Sequence, residues 1–87
     1  MKINGTYVLR HIGDDWLLVP VGRTLRENRG LFPLTETGAD IWRLLPSCAD
    51  AQAVADALTE VYDAPREVLL ADVRAFLDEL RKLGVIA

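Results

Sequence analysis

The sequence GLFPLTETGADIWRLL, residues 30–45, predicts a short strand followed by a helix with one buried face. The strand runs from Gly30 to Leu34. Thr35 is a good N-cap, because its hydroxyl can accept a hydrogen bond from an unpaired N–H of the first turn. Small and apolar residues then recur at the spacing i, i+3, i+4 and i+7, which is typical of one helix face. They are Gly38, Ile41, Trp42 and Leu45. We therefore predict a helix from about Glu36 to Leu45, whose apolar face the other elements must cover.

The chain before this stretch predicts a β-hairpin. Thr6 to Ile12 is rich in β-branched and aromatic residues, and Trp16 to Val21 is apolar on both faces, so both segments are predicted strands. Gly13-Asp-Asp15 between them is typical of a turn. Gly22 to Arg29 is predicted to be a polar loop, with Leu25 as a single apolar anchor. Its arginines leave two interpretations open, a solvated loop or a basic rim that attracts an acidic peptide.

The chain after residue 45 predicts two more helices. Pro46 ends the first helix, because it disfavours the helical backbone for the residue before it. Asp50 is a good N-cap for the second helix. The third and longest helix is predicted from Arg66 to about Leu83, with Pro65 at its first position and Gly84 closing it. The predicted fold is therefore α+β and winged helix-turn-helix-like, with a three-stranded antiparallel sheet followed by a three-helix bundle.

The composition indicates a single small domain, residues 1–87. A net charge of −3 argues against nucleic acid and anionic membranes as main partners. The single cysteine excludes an internal disulfide. No apolar run approaches the roughly 18 residues of a membrane span, and the first residues lack the apolar core of a signal peptide. We therefore expect a cytoplasmic protein without nucleic-acid or membrane partners.

The residues that usually carry catalysis are scattered. His11 is the only histidine and lies in a predicted strand, and one imidazole without neighbouring ligands makes no metal site. Cys48 lies in a short linker, and a nucleophilic cysteine needs a base and an orienting group beside it. Asp14 and Asp15 form a turn pair with no predicted pocket. The sequence therefore predicts a binding protein with no catalytic residues, no metal and no cofactor.

The third strand and the third helix are the predicted walls of a peptide-binding site. Pro33 lacks an N–H, which fits a strand paired on one side only, with its other edge free or covered. An edge beside an amphipathic helix can bind an extended peptide through backbone hydrogen bonds and side-chain pockets. The third helix carries more apolar residues near its start than one stripe needs. They are Val68, Leu69, Leu70, Val73, Phe76 and Leu77. Taken singly, Leu69, Val73, Phe76 and Leu80 are favoured as core, and the excess near the helix start can line a groove.

Two other interpretations stay open at this point. A winged-helix DNA-binding or regulatory module would place a basic helix in the major groove. The third helix mixes Arg66 and Arg74 with Glu67 and Asp72, so it offers no phosphate-neutralising face. The second alternative is an adaptor that binds a folded protein at the same strand edge. The edge can also pair with a second copy, so a monomer and a strand-paired or swapped dimer are both open.

Three stretches resemble the PqqD family. Leu34 to Leu45 is similar to the family pattern Leu-Asn-Glu-(Thr/Ser)-(Gly/Ala)-Ala-x-(Ile/Leu)-Trp-x-Leu-Leu. Val61-Tyr-Asp63 resembles the Tyr-Asp end of the next helix. Ala71 to Val85 resembles the pattern Ala-Asp-Val-x-x-Phe-Leu-x-x-Leu-x-x-x-Gly-Leu. Thr35 stands where the family usually has Asn, and it still caps a helix. The resemblance covers nearly the whole chain, and its pieces are specific together, in this order and at these spacings.

The resemblance implies a non-enzymatic recognition element for a ribosomally synthesised, post-translationally modified peptide. Such a domain binds the leader of the precursor and presents it to a maturation enzyme, a radical-SAM or similar protein. In the family the leader adds as an antiparallel strand to the third strand and lies against the third helix. Carried over by position, the peptide-binding residues are Gly30, Leu31, Phe32 and Leu34 on the strand and Leu69, Asp72, Val73 and Phe76 on the helix.

Overall fold

The computed structural model describes residues 1–27 and 30–87, which form one three-stranded sheet with helices on one side. The elements in chain order are β1 (Tyr7–Ile12), β2 (Asp15–Pro20), α1 (Arg23–Glu27), β3 (Phe32–Leu34), α2 (Glu36–Leu44), a 3-10 turn (Leu45–Ser47), α3 (Ala51–Leu58) and α4 (Arg66–Lys82). The strands are antiparallel in the order β1-β2-β3. The predicted α+β fold is confirmed, and the three longer helices follow the sheet as expected.

The segment between β2 and β3 differs from the predicted loop. Residues 23–27 form the short helix α1, whereas Arg29 lies outside the described residues. Leu25 is exposed, so it does not anchor this segment. Thr24 is the buried residue of α1, and its Oγ1 accepts a hydrogen bond of 2.7 Å from the N–H of Thr6. The sequence pattern did not indicate Thr24 as the anchor, because its side chain is polar and its partner is a backbone group distant in sequence.

This hydrogen bond should contribute measurably to stability. Replacing Thr24 by valine keeps the side-chain shape but leaves the Thr6 N–H without its acceptor. An unpaired, partly buried donor costs about 1–2 kcal/mol. Urea unfolding should therefore show that loss for Thr24→Val. Thr24→Ser retains the hydroxyl and should stay within about 1 kcal/mol of the native protein; an equal loss in both variants would assign the effect to packing instead.

The two faces of the sheet have different environments. Residues paired across neighbouring strands point to the same face. Leu18 pairs with Leu9 on one side and Phe32 on the other, and this row faces the helices, with Leu18 fully buried. Leu17 and its partner Pro33 point to the opposite face, where Leu17 is half-buried and Pro33 is exposed. The helices therefore cover only one side of the sheet.

Local signals place the helix ends close to their predicted positions. The side chains of Thr35 and Asp50 accept hydrogen bonds from the N–H groups of Gly38, at 3.0 Å, and Ala53, at 2.8 Å. These bonds confirm both predicted N-caps. Pro65 is the N-cap residue of α4 rather than its first helical residue. The predicted first helix continues to Leu45 only as a 3-10 turn.

The C-terminal end of α4 is a Schellman motif built on Gly84. Its φ of 77° lies in the left-handed region, which favours glycine. The N–H of Gly84 donates to the carbonyl of Arg81 at 3.1 Å, and the N–H of Val85 donates to the carbonyl of Leu80 at 2.9 Å. The turn sends Val85 and Ile86 back into the core, and Ile86 forms a bridge with Ile3.

The core lies between the inner face of the sheet and the three longer helices. Its fully or almost fully buried apolar residues include Leu18, Ile41, Leu45, Val54, Leu58, Val73, Leu77 and Leu80. They come from every layer of the fold, so the strands and helices stabilise one another. No helix in the described ranges is long and apolar enough to cross a membrane.

Candidate functional site: the β3 edge and the α4 groove

The free edge of β3 is the first part of the candidate site. Within the described residues β3 pairs with β2 alone, through Trp16–Leu34, Leu17–Pro33 and Leu18–Phe32. The opposite edge therefore pairs with no strand formed by the described parts of the chain. A strand edge of this kind presents backbone groups to which an extended peptide can bind.

The pairing of the strands determines which backbone groups of β3 face the free edge. In an antiparallel ladder, residues alternate between those that bond to one neighbour and those whose groups face away from it. Pro33 is the middle residue of the three pairs and has no N–H to give. The N–H of Val21 donates to the carbonyl of Thr6 at 3.0 Å, so alternate residues of β2, Leu17 among them, turn their backbone groups to β1. The residues of β2 between them bond to Phe32 and Leu34, and the carbonyl of Pro33 faces the free edge.

An apolar groove of about 280 Å³ lies beside this edge. Phe32 and Leu34 form its strand wall, because their side chains point to the helix side of the sheet. The helix wall comes from Phe76 and Leu83, and the almost fully buried Leu80 lies between them in sequence along α4 and its C-cap. Glu79 also lines the groove and is the charged residue of this lining, and its carboxylate lies 3.7 Å from the ammonium group of Lys82. The remaining lining residues are Pro33 and Thr35.

Gly38 on α2 lies close to the Phe76 ring on α4. A methyl group added at Gly38 would lie 3.2 Å from Cε1 of Phe76 and 3.3 Å from Oγ1 of Thr35. Both distances are tighter than ordinary van der Waals contact, so glycine lets α2 approach the ring. Phe76 also lines a second, neighbouring hollow of about 360 Å³, together with Asp72 and Thr37.

The eight sequence-predicted contact residues have different accessibilities. Phe32, Leu34 and Phe76 line the groove. Leu31, 57% exposed, and Gly30 lie next to the start of β3 and are open to solvent. Asp72 is exposed and lines the hollow beside the groove. Leu69 and Val73 are 4% and 0% exposed, so they belong to the core and present no surface to a peptide. Contact with a peptide stays a prediction for the accessible residues.

Sequence reasoning omitted two accessible groove residues at the end of the third helix, Glu79 and Leu83, and took Leu80 as core, where it is almost fully buried. A usable signal existed, because Leu80 and Leu83 follow Phe76 at helical spacing. The prediction instead favoured the start of the helix, where apolar residues are densest. The structure places β3 against the C-terminal half of α4, so the groove lies one to two turns further along the helix.

Two clusters of polar side chains lie outside this groove. His11 is exposed, and its ring stacks on Trp16 at 3.9 Å between centroids, while the Arg43 guanidinium lies 4.6 Å from the Trp16 ring. The hydroxyl of Tyr62 donates to a carboxylate oxygen of Asp40, and this hydrogen bond raises the pKa of Tyr62 above its ordinary value. No group of three metal-ligating side chains occurs in the parts of the chain that the structure describes. The groove itself offers apolar walls, a carboxylate and an outward-facing backbone carbonyl.

Comparisons with known proteins found a family model and a solved structure that match this chain. The family model described as coenzyme PQQ synthesis protein D (PqqD) matches residues 16–86. A solved structure, TbiB1 in complex with the TbiA(beta) leader peptide, is similar to this chain with a TM-score of 0.73 and 28% sequence identity. The similarity covers 99% of this chain and 94% of that chain. None of the curated proteins matches the sequence.

Proposed function

This chain belongs to the PqqD family, and we propose that it binds the leader of a ribosomally synthesised precursor peptide. The observation that carries the proposal is the free edge of β3 directly beside the apolar groove of α4. An edge supplies backbone hydrogen bonds that any extended peptide can use, and a groove supplies selectivity for side chains. The similar structure of TbiB1, solved in complex with a leader peptide, supports leader binding by this chain.

The geometry indicates which leader sequences fit. A leader strand antiparallel to β3 places alternate side chains on the two faces of the extended sheet. Side chains opposite Phe32 and Leu34 point into the groove, whereas the side chain opposite Pro33 points to the exposed outer face. We therefore propose a preference for two apolar residues separated by one residue of any polarity.

The proposed role is that of a non-enzymatic peptide chaperone in the cytoplasm. It binds the leader and presents the rest of the precursor to a maturation enzyme, a radical-SAM or similar protein. Its action needs neither metal nor cofactor.

A titration followed by amide NMR tests the proposal. The protein is titrated with synthetic leaders of the short precursor peptides encoded beside its gene, and scrambled versions of the same leaders are the controls. We expect saturable shifts at Leu31, Leu34 and Thr35 and along 76–83, with little change on α3. These shifts should persist at high salt, because backbone pairing and apolar contacts dominate. Salt-sensitive shifts with duplex DNA and none with leaders would support the regulatory alternative.

The outer lip of the groove provides a matched pair of variants. Leu83 is 45% exposed and lines the groove, whereas Val68 is 49% exposed at the other end of α4. A leader that covers Leu83 removes its remaining apolar surface from water, so Leu83→Gln should weaken leader binding about three- to tenfold. Val68→Gln should leave the affinity unchanged in the same calorimetric titration. Equal losses would show that the leader binds elsewhere on α4.

A further inference from the structure

Pro33 leaves a gap in the hydrogen-bonding pattern of the edge. Its carbonyl faces outward and can accept a hydrogen bond, but its nitrogen has no hydrogen to donate. The next residues with outward-facing groups are two positions away on either side, at Leu31 and Thr35. Thr35 has an extended backbone with φ −73° and ψ 167°, and its carbonyl already accepts from the N–H of Ala39 at 2.9 Å. Acceptors and donors are therefore unevenly distributed along this edge.

From this pattern we infer that the leader residue opposite Pro33 donates its backbone N–H to the protein while its own carbonyl has no partner on β3. The inference rests on the proposed function and deepens it. It holds for every antiparallel register, because β3 fixes which of its groups face outward. We call the leader residue that lies opposite Pro33 the opposing residue. In every register it faces a backbone carbonyl and no N–H group.

This asymmetry selects among leader sequences. The opposing residue cannot be proline, because its N–H is the one group that Pro33 can bind. The two leader residues on either side of it have N–H groups that face away from β3. Proline or an N-methylated residue at either position therefore removes no hydrogen bond to the edge. Their side chains enter the groove between β3 and α4. The predicted leader class is thus apolar-x-apolar with a central residue other than proline.

Backbone esters in the leader test this inference directly. The experiment begins with a leader that already binds in the titration, and Hα–Hα contacts to Phe32 and Leu34 in the NMR spectra identify the neighbours of the opposing residue. An ester before the opposing residue removes its N–H and should weaken binding about two- to tenfold. An ester after it weakens its carbonyl as an acceptor and removes an N–H that faces away. In the native protein this second ester should change the affinity less than twofold.

The variant Pro33→Ala should supply the missing donor. The unmodified leader should bind this variant about two- to tenfold more tightly than the native protein, and the ester after the opposing residue should cancel that gain. Pro46→Ala, at an exposed proline between α2 and α3, is the control and should change neither value. Amide spectra of both variants verify the fold, and the ester series in the native protein needs no substitution.

Three results would overturn the inference, and they differ from a failure of the proposed function. If Pro33→Ala does not tighten binding, or if the ester after the opposing residue costs the native protein as much as the ester before it, the carbonyl has a partner. If leaders bind but no backbone ester changes their affinity, edge pairing itself is wrong. If no leader binds at all, the proposed function fails and the ester comparison is not reached.

Discussion

Replacing Phe76 by alanine should lower the affinity for a leader peptide about 10- to 30-fold. The Phe76 ring lies between the groove and its neighbouring hollow, and it packs against Gly38 on α2. Aromatic residues in the centre of a binding surface commonly contribute about 2 kcal/mol when truncated, and each 1.4 kcal/mol corresponds to a tenfold change. Truncation removes the helix wall against which a leader side chain would pack. Isothermal titration with the leader found by NMR measures the loss.

The same substitution also destabilises the fold, so a matched control is needed. Phe76 is half-buried and packs against the core, and its truncation should cost about 2 kcal/mol of unfolding free energy. Leu70 is likewise half-buried on α4 and packs against the core, and it lines neither of the two hollows. Leu70→Ala should therefore lose comparable stability and keep its affinity. If both variants lose affinity equally, the effect is a loosened α4 and Phe76 is not a binding residue.

Local signals made much of the fold predictable from the sequence. Thr35 and Asp50 cap their helices, and Gly84 closes α4, because each acts on backbone groups only a few residues away. The periodicity of α2 correctly indicated that Ile41 and Trp42 are buried. Such features depend on the chain near them, and this is why a single sequence contains enough information to predict them.

The features that were missed depend on contacts between distant segments. Thr24 is buried because its hydroxyl accepts from Thr6, and no local pattern indicates that pairing. The third helix shows the same limitation in the candidate site. Its apolar residues form one continuous stripe, and periodicity alone does not tell which part faces the core and which part faces β3. Val73 is fully buried, whereas Leu83, which lines the groove beside β3 at the far end of α4, remains 45% exposed.

The alternation of faces on β2 leads to the largest expected difference in stability between neighbouring positions. Leu18→Ala should lower the free energy of unfolding by about 3 kcal/mol, because Leu18 is fully buried between two strands and the helices. For a domain of this size that loss corresponds to a fall in Tm of roughly 10–20 °C. Leu17→Ala, one residue earlier, removes the same atoms from the half-buried outer face and should cost about 1 kcal/mol or less. Thermal unfolding followed by circular dichroism measures both. Equal losses would mean that the outer face is packed as well as the inner one. A clear difference would support the assignment of Leu18 to the face that the helices cover, and with it Phe32, which pairs with Leu18 on that face.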